Sequence, residues 1–457
     1  CARRSSSFQS KKKHFLIARG RMTGKVVDSS SKLTPLWALK AITFFSVGAN
    51  SSLFRFIAVF YHDLGLSNWQ IGLLQTLHPW MIFLGSLVWA SICDATGAYK
   101  EILVVSNLLG ACVLCSLLGP WQHDFAFDCS CVMIGSLMLS SRAGLIDALS
   151  LKVIDEYKHH ATQVTGSRLP NYGEQRLWGS AGFGLSAVVS GCAMDCLGSK
   201  GMFLVFVVCL FVTVALVSTE LPGRPHQKTA ETFEHLGSGR LCRWDVFWFF
   251  CNLFVYGAHM SLVESFLFVY LASDFIGTSR QLLGLSVATM CFFEVPVYLY
   301  IQHFIDRYDL RLLLSCCQLV FAFRVLAYSL LPRDMPYLVL IIEPLHGVTM
   351  AAMWACSVEL GRRLAPEGTK ARMQALVAGV YYRLASGTGS LCWGFLTQPP
   401  PLGFGFEAMY RLASLTMLSW CLLWNSAWCL SSWWMSLQSA VSISDESAAG
   451  SYRMMRS

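Results

Sequence analysis

Nine ionisable side chains interrupt otherwise apolar stretches: Arg55, Arg142, Asp147, Glu264, Glu294, Arg324, Glu343, His346 and Arg383. Their types and spacing could move a proton or grip a polar molecule. His346 follows Glu343 by three residues, so one helix would show both on one face. A histidine titrates near neutral pH, and a carboxylate out of water keeps its proton longer, so the two together suit a proton relay. Counted at about 1.5 Å per helical residue, Arg324 and Glu343 each lie roughly 10 Å deep from the same side. Glu264 falls at that level, and Glu294 and Arg383 fall nearer the midplane. Static pairs that lock helices together are the alternative, and they leave the histidine unexplained.

Proline marks two of these positions. Pro296 follows Glu294 by two and Pro344 follows Glu343 directly. Each would free a carbonyl four residues back, on Phe292 and Leu340, either to line a cavity or as a packing kink. Asp147 and Arg176 fall at similar depth across one loop and could hold a polar solute. Arg142 precedes Asp147 by five residues, roughly 140° round a helix, so the two would not share a face. Arg55, near a helix end, is expected to snorkel.

The elements that must position these groups follow from composition. Of 457 residues, 54% are hydrophobic and only 14% charged, with mean hydropathy +0.50. A soluble chain carries about 25% charge. A multi-domain soluble enzyme and a disordered chain are both excluded, because the apolar surplus needs lipid as its solvent. Twelve runs reach spanning length: 36–60, 69–93, 101–119, 127–154, 171–193, 201–219, 244–272, 281–303, 311–331, 336–361, 373–396 and 403–435. The alternating segments of a barrel are absent.

With the N-terminus inside, 26 of the 35 Lys/Arg fall in inner segments, three in outer loops and six within runs. That bias predicts both termini in the cytosol. The net charge of +8 follows the same loops and forms no nucleic-acid face. The 18 cysteines lack paired ligand spacing and read as small core residues; no metal or other cofactor is expected.

The expected organisation is a basic, disordered cytosolic segment over 1–35, a six-helix bundle over 36–219, a cytosolic linker over 220–243, a second bundle over 244–435 and a cytosolic tail over 436–457. Residues 1–34 also fit a transit peptide, or a leader before a start at Met22. The fold class is an all-α membrane protein, twelve transmembrane helices in two pseudo-symmetric six-helix bundles. The halves echo each other. Asp94, Gly97 and Lys100 follow the second run, and Asp306, Arg307 and Arg311 follow the eighth. Repeated halves of this kind mark transporters. Small residues punctuate the fifth run (Gly179–Gly184) and the eleventh (Ser386–Ser390), allowing close helix contact.

The twelve runs, paired charged loops and midpoint linker resemble the major facilitator superfamily. Ala95 and Asp309 replace residues common in its loop motif. The stretches Asn171–Phe183 and Glu343-Pro-Leu-His-Gly347 are similar to its lactose-permease-like branch, which takes in phenylpropionate and nucleoside permeases. Glu359–Pro366 and Gln374–Tyr381 look most like the animal major facilitator superfamily domain-containing protein six. The resemblance, over roughly 35–435, implies that Asp147, Arg176 and Phe183 sit where the branch holds its sugar; Arg383, a charge near the midplane, is expected at the substrate site with them. It implies that Arg324 and His346 sit where the branch couples protons. Thr349 stands where the branch has its coupling acid, so that acid is moved to Glu343 or Glu294, or coupling is lost.

The expected function is a symporter moving a small polar or amphipathic solute by alternating access. Glu264, Glu294, Arg324, Glu343 and His346 would handle the proton, and Asp94, Gly97, Lys100, Asp306, Arg307 and Arg311 the cytosolic gate. The expected partners are a small-molecule solute, protons and the bilayer, with no nucleic acid, and the chain is expected to be monomeric. A transporter-shaped receptor or scaffold without flux is the rival. A membrane enzyme finds no constellation to support it, and the lack of a Walker-type GxxxxGK[ST] argues against an ATP-driven pump.

Overall fold

A lipid-facing chain must satisfy its backbone hydrogen bonds within itself, which leaves the helix for sequences without barrel alternation. The computed structural model describes residues 34–121, 124–161, 172–221, 244–366 and 369–426, and no strand occurs among them. Nine described helices are long and apolar enough to cross a membrane. A tenth candidate is the pair Pro336–Ile342 and Gly347–Leu364, bent by 44°. Helical chain also covers Lys370–Leu396 and 405–426, where the last two runs were expected. The N-terminal segment, linker and tail expected from sequence lie outside the described residues except at their edges.

Packing divides the helices into two halves. Leu36–Phe54 packs on Tyr172–Leu197 and Lys200–Glu220, while Trp244–Asp274 packs on Ser386–Leu396. Two long seams join the halves. Tyr172–Leu197 lies along Arg280–Arg307, and Asn68–Thr96 lies along Ser386–Leu396. Shifting by six runs turns the second-with-eleventh contact into the eighth-with-fifth, so the seams are two copies of one interface. Glycine allows both close approaches. A Cβ on Gly72 would come 2.9 Å from the Cα of Gly394, and one on Gly284 would strike the Ala187 carbonyl.

Polar contacts close the seams at one side of the molecule, called here the latched side. Arg280 Nη2 bonds both carboxylate oxygens of Asp63 at 2.9 Å. Asp195 accepts the backbone N–H groups of Arg280 and Gln281 at 2.8 Å each, capping that helix from the other half. Asn68 Nδ2 donates to the Thr397 carbonyl at 2.8 Å, and Thr76 Oγ1 to that of Gly387 at 2.7 Å. At the opposite, basic-loop side the described bonds stay within a half. Thr34 donates to the Glu220 carbonyl, Lys100 to that of Leu221, and Gln374 to that of Val358.

Several helices are irregular where they carry charge. The first breaks at Arg55 and Phe56, between Leu36–Phe54 and Ile57–Asp63. Phe125–Leu139 gives way to Ser141–Ala161 at Ser140, just before Arg142. Wider π-type turns cover Gly347–Ala352, next to His346, and Val380–Ala385, which holds Arg383. Turns of this kind gather at functional sites. Pro344 sits at the 44° bend, whereas Pro296 lies inside the unbroken helix Arg280–Arg307.

Candidate functional site

The bend at Pro344 sets Glu343 and His346 against Arg324 on the neighbouring helix Leu310–Ser329. Arg324 is wholly buried, and its Nη2 bonds Glu343 Oε2 at 2.9 Å. Its Nε donates to the Tyr328 hydroxyl at 2.8 Å, one helical turn along. Its Nη1 donates to His346 Nδ1 at 2.8 Å and to Thr349 Oγ1 at 3.0 Å. Glu343 Oε1 accepts further bonds from Ser286, 3.0 Å, and Tyr328, 3.2 Å. An ion pair with no exposure is tolerable only when its remaining donors and acceptors are met in this way.

The chain continues outward from His346. Its Nε2 lies 3.1 Å from Glu294 Oε1. A guanidinium can only donate, so His346 Nδ1 must accept from Arg324. The remaining ring proton then sits on Nε2 and is given to Glu294, which makes the imidazole neutral. Glu294 keeps 16% side-chain exposure against 6% for His346, so it is the less buried end of the chain.

The sequence-expected proton residues thus divide. Glu294, His346, Arg324 and Glu343 form one connected path. Glu264, expected beside Arg324, is half-buried on Trp244–Asp274 and exerts its field on Tyr381 instead. The hydroxyls of Ser286 and Tyr328 escaped sequence reasoning, although Tyr328 stands four residues after Arg324, one turn along the same helix.

The expected solute residues do not form one described cluster. Asp147 is exposed and Arg142 buried, as their angular offset requires. Arg176 falls on the helix Tyr172–Leu197, but its side chain is outside the described ones. The Phe183 ring lies under Arg55, 5.7 Å from guanidinium carbon to ring centre. Arg55 does not snorkel, because the helix break turns it inward, where Nη2 meets Met290 Sδ at 3.4 Å. Its field reaches His346 and Cys291. Arg142 bonds Asn50 through Nη2 and leaves Nη1 without a partner. Arg142 and Arg383 both act on His78, which bonds Ser136 at 2.8 Å and stacks on Phe54 at 3.9 Å.

The expected gate residues lie at the basic-loop side. Gly97 ends its helix with φ +68°, a left-handed turn that suits glycine. Asp94 accepts the Tyr99 hydroxyl proton at 2.7 Å, and Lys100 reaches the Leu221 carbonyl at 3.2 Å. Asp306 accepts from Gln302 at 2.8 Å, Arg307 is exposed, and Arg311 follows the helix-capping Asp309. The latch residues Asp63, Asp195 and Arg280 were not expected from sequence. Opposite charges at the ends of the first, fifth and eighth runs were the available signal. No group of three or more potential metal ligands occurs among the described residues.

Two helical halves, paired seams and a charged path within the C-terminal half define a multi-pass membrane protein of transporter architecture. The chain belongs to the MFS_1 like family, whose model matches residues 36–408. It is 27% identical over 376 residues to the maltose permease of Geobacillus stearothermophilus, covering 79% of this chain and 87% of that one. It is 24% identical over 172 residues to major facilitator superfamily domain-containing protein 6-like protein B of Xenopus laevis, covering 38% of this chain and 27% of that protein. Among solved structures, nucleoside transporter NupG matches with a TM-score of 0.73 at 14% identity, over 85% of this chain and 98% of NupG. A D-xylose–proton symporter matches with 0.58 at 12% identity, over 83% and 95%.

Proposed function

We propose that the protein is a proton-coupled secondary transporter of a small polar solute, working by alternating access. The observation that carries this reading is the continuous path Glu294–His346–Arg324–Glu343, wholly buried at Glu343 and partly exposed at Glu294. A proton enters the path at Glu294, its less buried end. Once Glu294 is neutral, it no longer holds His346 Nε2–H by charge, and the imidazole is freer to turn. The charge Arg324 needs is kept by Glu343, so the buried end stays paired throughout. Glu343 stands one turn before His346, and Thr349, one turn after it, accepts a bond from Arg324 and donates one to the His346 carbonyl but carries no acid. Glu294 is then the exchangeable acid and Glu343 the fixed one.

The latched side is the non-cytosolic face in this reading, which puts both termini and the charged loops in the cytosol. The structure then represents a state closed to the outside. Phe183, Asp147, Arg176 and Arg383 would contact the solute, and Glu264 lies close enough to Tyr381 to respond to it. Rocking of the halves breaks the Asp63–Arg280–Asp195 latch and brings the two charged loops together.

The supporting relatives include a maltose permease and a proton symporter by name. The test is uptake into proteoliposomes across an imposed pH gradient, with a broad solute panel. A one-unit gradient coupled to one proton can concentrate a neutral solute about tenfold. No gradient-driven accumulation of any solute by folded protein would remove the proposal and favour the receptor reading.

A further inference from the structure

We propose that Arg142 and Arg383 are the two arms of an anion site at the junction of the halves, taking a small organic oxyanion, a carboxylate or phosphate ester, as the ligand. The proposal rests on the transporter reading for its purpose and deepens it at Arg383, while its substance lies in residues outside the proton path. Arg142 is only 4% exposed and comes from the N-terminal half. Its one described hydrogen bond goes to Asn50, and its buried Nη1 has no partner. Among the described residues, no carboxylate pairs with Arg142 or with Arg383. A guanidinium out of water without a counter-charge is costly. Something acceptor-rich would relieve it.

Three further observations aim the groups at one place. Asn50, four residues before Phe54 on a spanning helix, is nevertheless exposed, so the residue that Arg142 holds is not sealed in the core. The helix Ser141–Ala161 and the π-turn Val380–Ala385 both pack on Asn68–Thr96, the helix that carries His78. His78 lies in the field of both arginines, one from each half. The polar groups offered there are mostly N–H donors: two guanidinium forks and the Asn50 amide. A neutral sugar or nucleoside wants acceptors as well as donors, whereas a carboxylate or phosphate wants donors alone. An oxyanion between the two forks would also draw the halves together, which is what an occluded state needs.

The test is ligand-induced thermal stabilisation of the purified full chain in detergent at matched ionic strength. The probes are succinate, inorganic phosphate and glucose 6-phosphate against maltose and uridine; the first separates carboxylate from phosphate chemistry. Stabilisation by at least one anion and by neither neutral probe is expected. Arg142→Gln and Arg383→Gln should each weaken it about 10- to 100-fold, and Arg383→Lys should keep part of it. Should R142Q not yield monodisperse protein, R383Q, altered at a half-buried position, gives the same reading. No stabilisation by any of the three anions overturns the site, as does stabilisation unchanged in R383Q. Anion binding without proton-driven flux would sink the coupled-transport reading and leave the site standing. Proton-driven flux of maltose or uridine, with no anion bound, would do the reverse.

Discussion

Two arginines are buried in this molecule under opposite circumstances. Arg324, in the C-terminal half, gives hydrogen bonds to a carboxylate, a phenol, an imidazole and a threonine. Among the described residues, Arg142, in the N-terminal half, gives one, to an amide. Both lie on spanning segments and both are out of water. The difference teaches that burial alone does not assign a role. A saturated charge is part of the scaffold that tunes its neighbours, while an unsaturated one is held ready for a partner that comes and goes.

That contrast can be broken most forcefully at Arg324. Arg324→Gln or Glu343→Gln leaves one charge buried and unpaired, so each should lose about 3–5 kcal/mol of stability in thermal or denaturant unfolding of the purified protein. The double change to leucine should recover most of that loss, because both charges go together. Single variants as stable as the parent would show that the pair is not held as described. Arg142→Gln should instead change stability by less than about 1 kcal/mol, since it removes a cost as well as a bond. A loss as large as that of R324Q would erase the distinction between the two arginines.

Smaller effects belong to the seams. Gly284→Leu forces a side chain against Ala187 and should cost the latched state about 1–3 kcal/mol. Alkylation of a cysteine placed at Asn68, in a background without other reactive thiols, should then become faster. Smallest of all is Asp63→Asn. The Asp63–Arg280 pair is partly exposed, so its removal should cost about 0.2–1 kcal/mol and shift the same labelling by no more than about fivefold.

Much of this architecture was legible in the chain because spanning helices obey a length rule. Counting residues put Arg324 and Glu343 at one depth, and they are bonded. Depth is only one coordinate. Glu294 was placed at a deeper level with Arg383, yet it touches His346, because the count carries no bearing around the helix axis and the bend at Pro344 tilts the whole segment. For the same reason Glu264, expected beside Arg324, exerts its field on Tyr381 instead. The latch was hidden for another reason: Asp63 and Arg280 are 217 residues apart, and no local pattern names a partner at that range. Arg142 was visible as a charge, but the lack of a counter-charge among the described residues is a fact of packing alone.

The most direct measurement compares two modes of transport in Glu294→Gln. Glutamine keeps the shape and can still accept from His346 Nε2–H, but it cannot release a proton. Proteoliposomes carrying the variant should exchange solute between equal pools at near the parental rate, and should fail to accumulate it under a pH gradient that drives the parent about tenfold uphill. Uphill accumulation preserved in E294Q would contradict the proton path from Glu294 to His346.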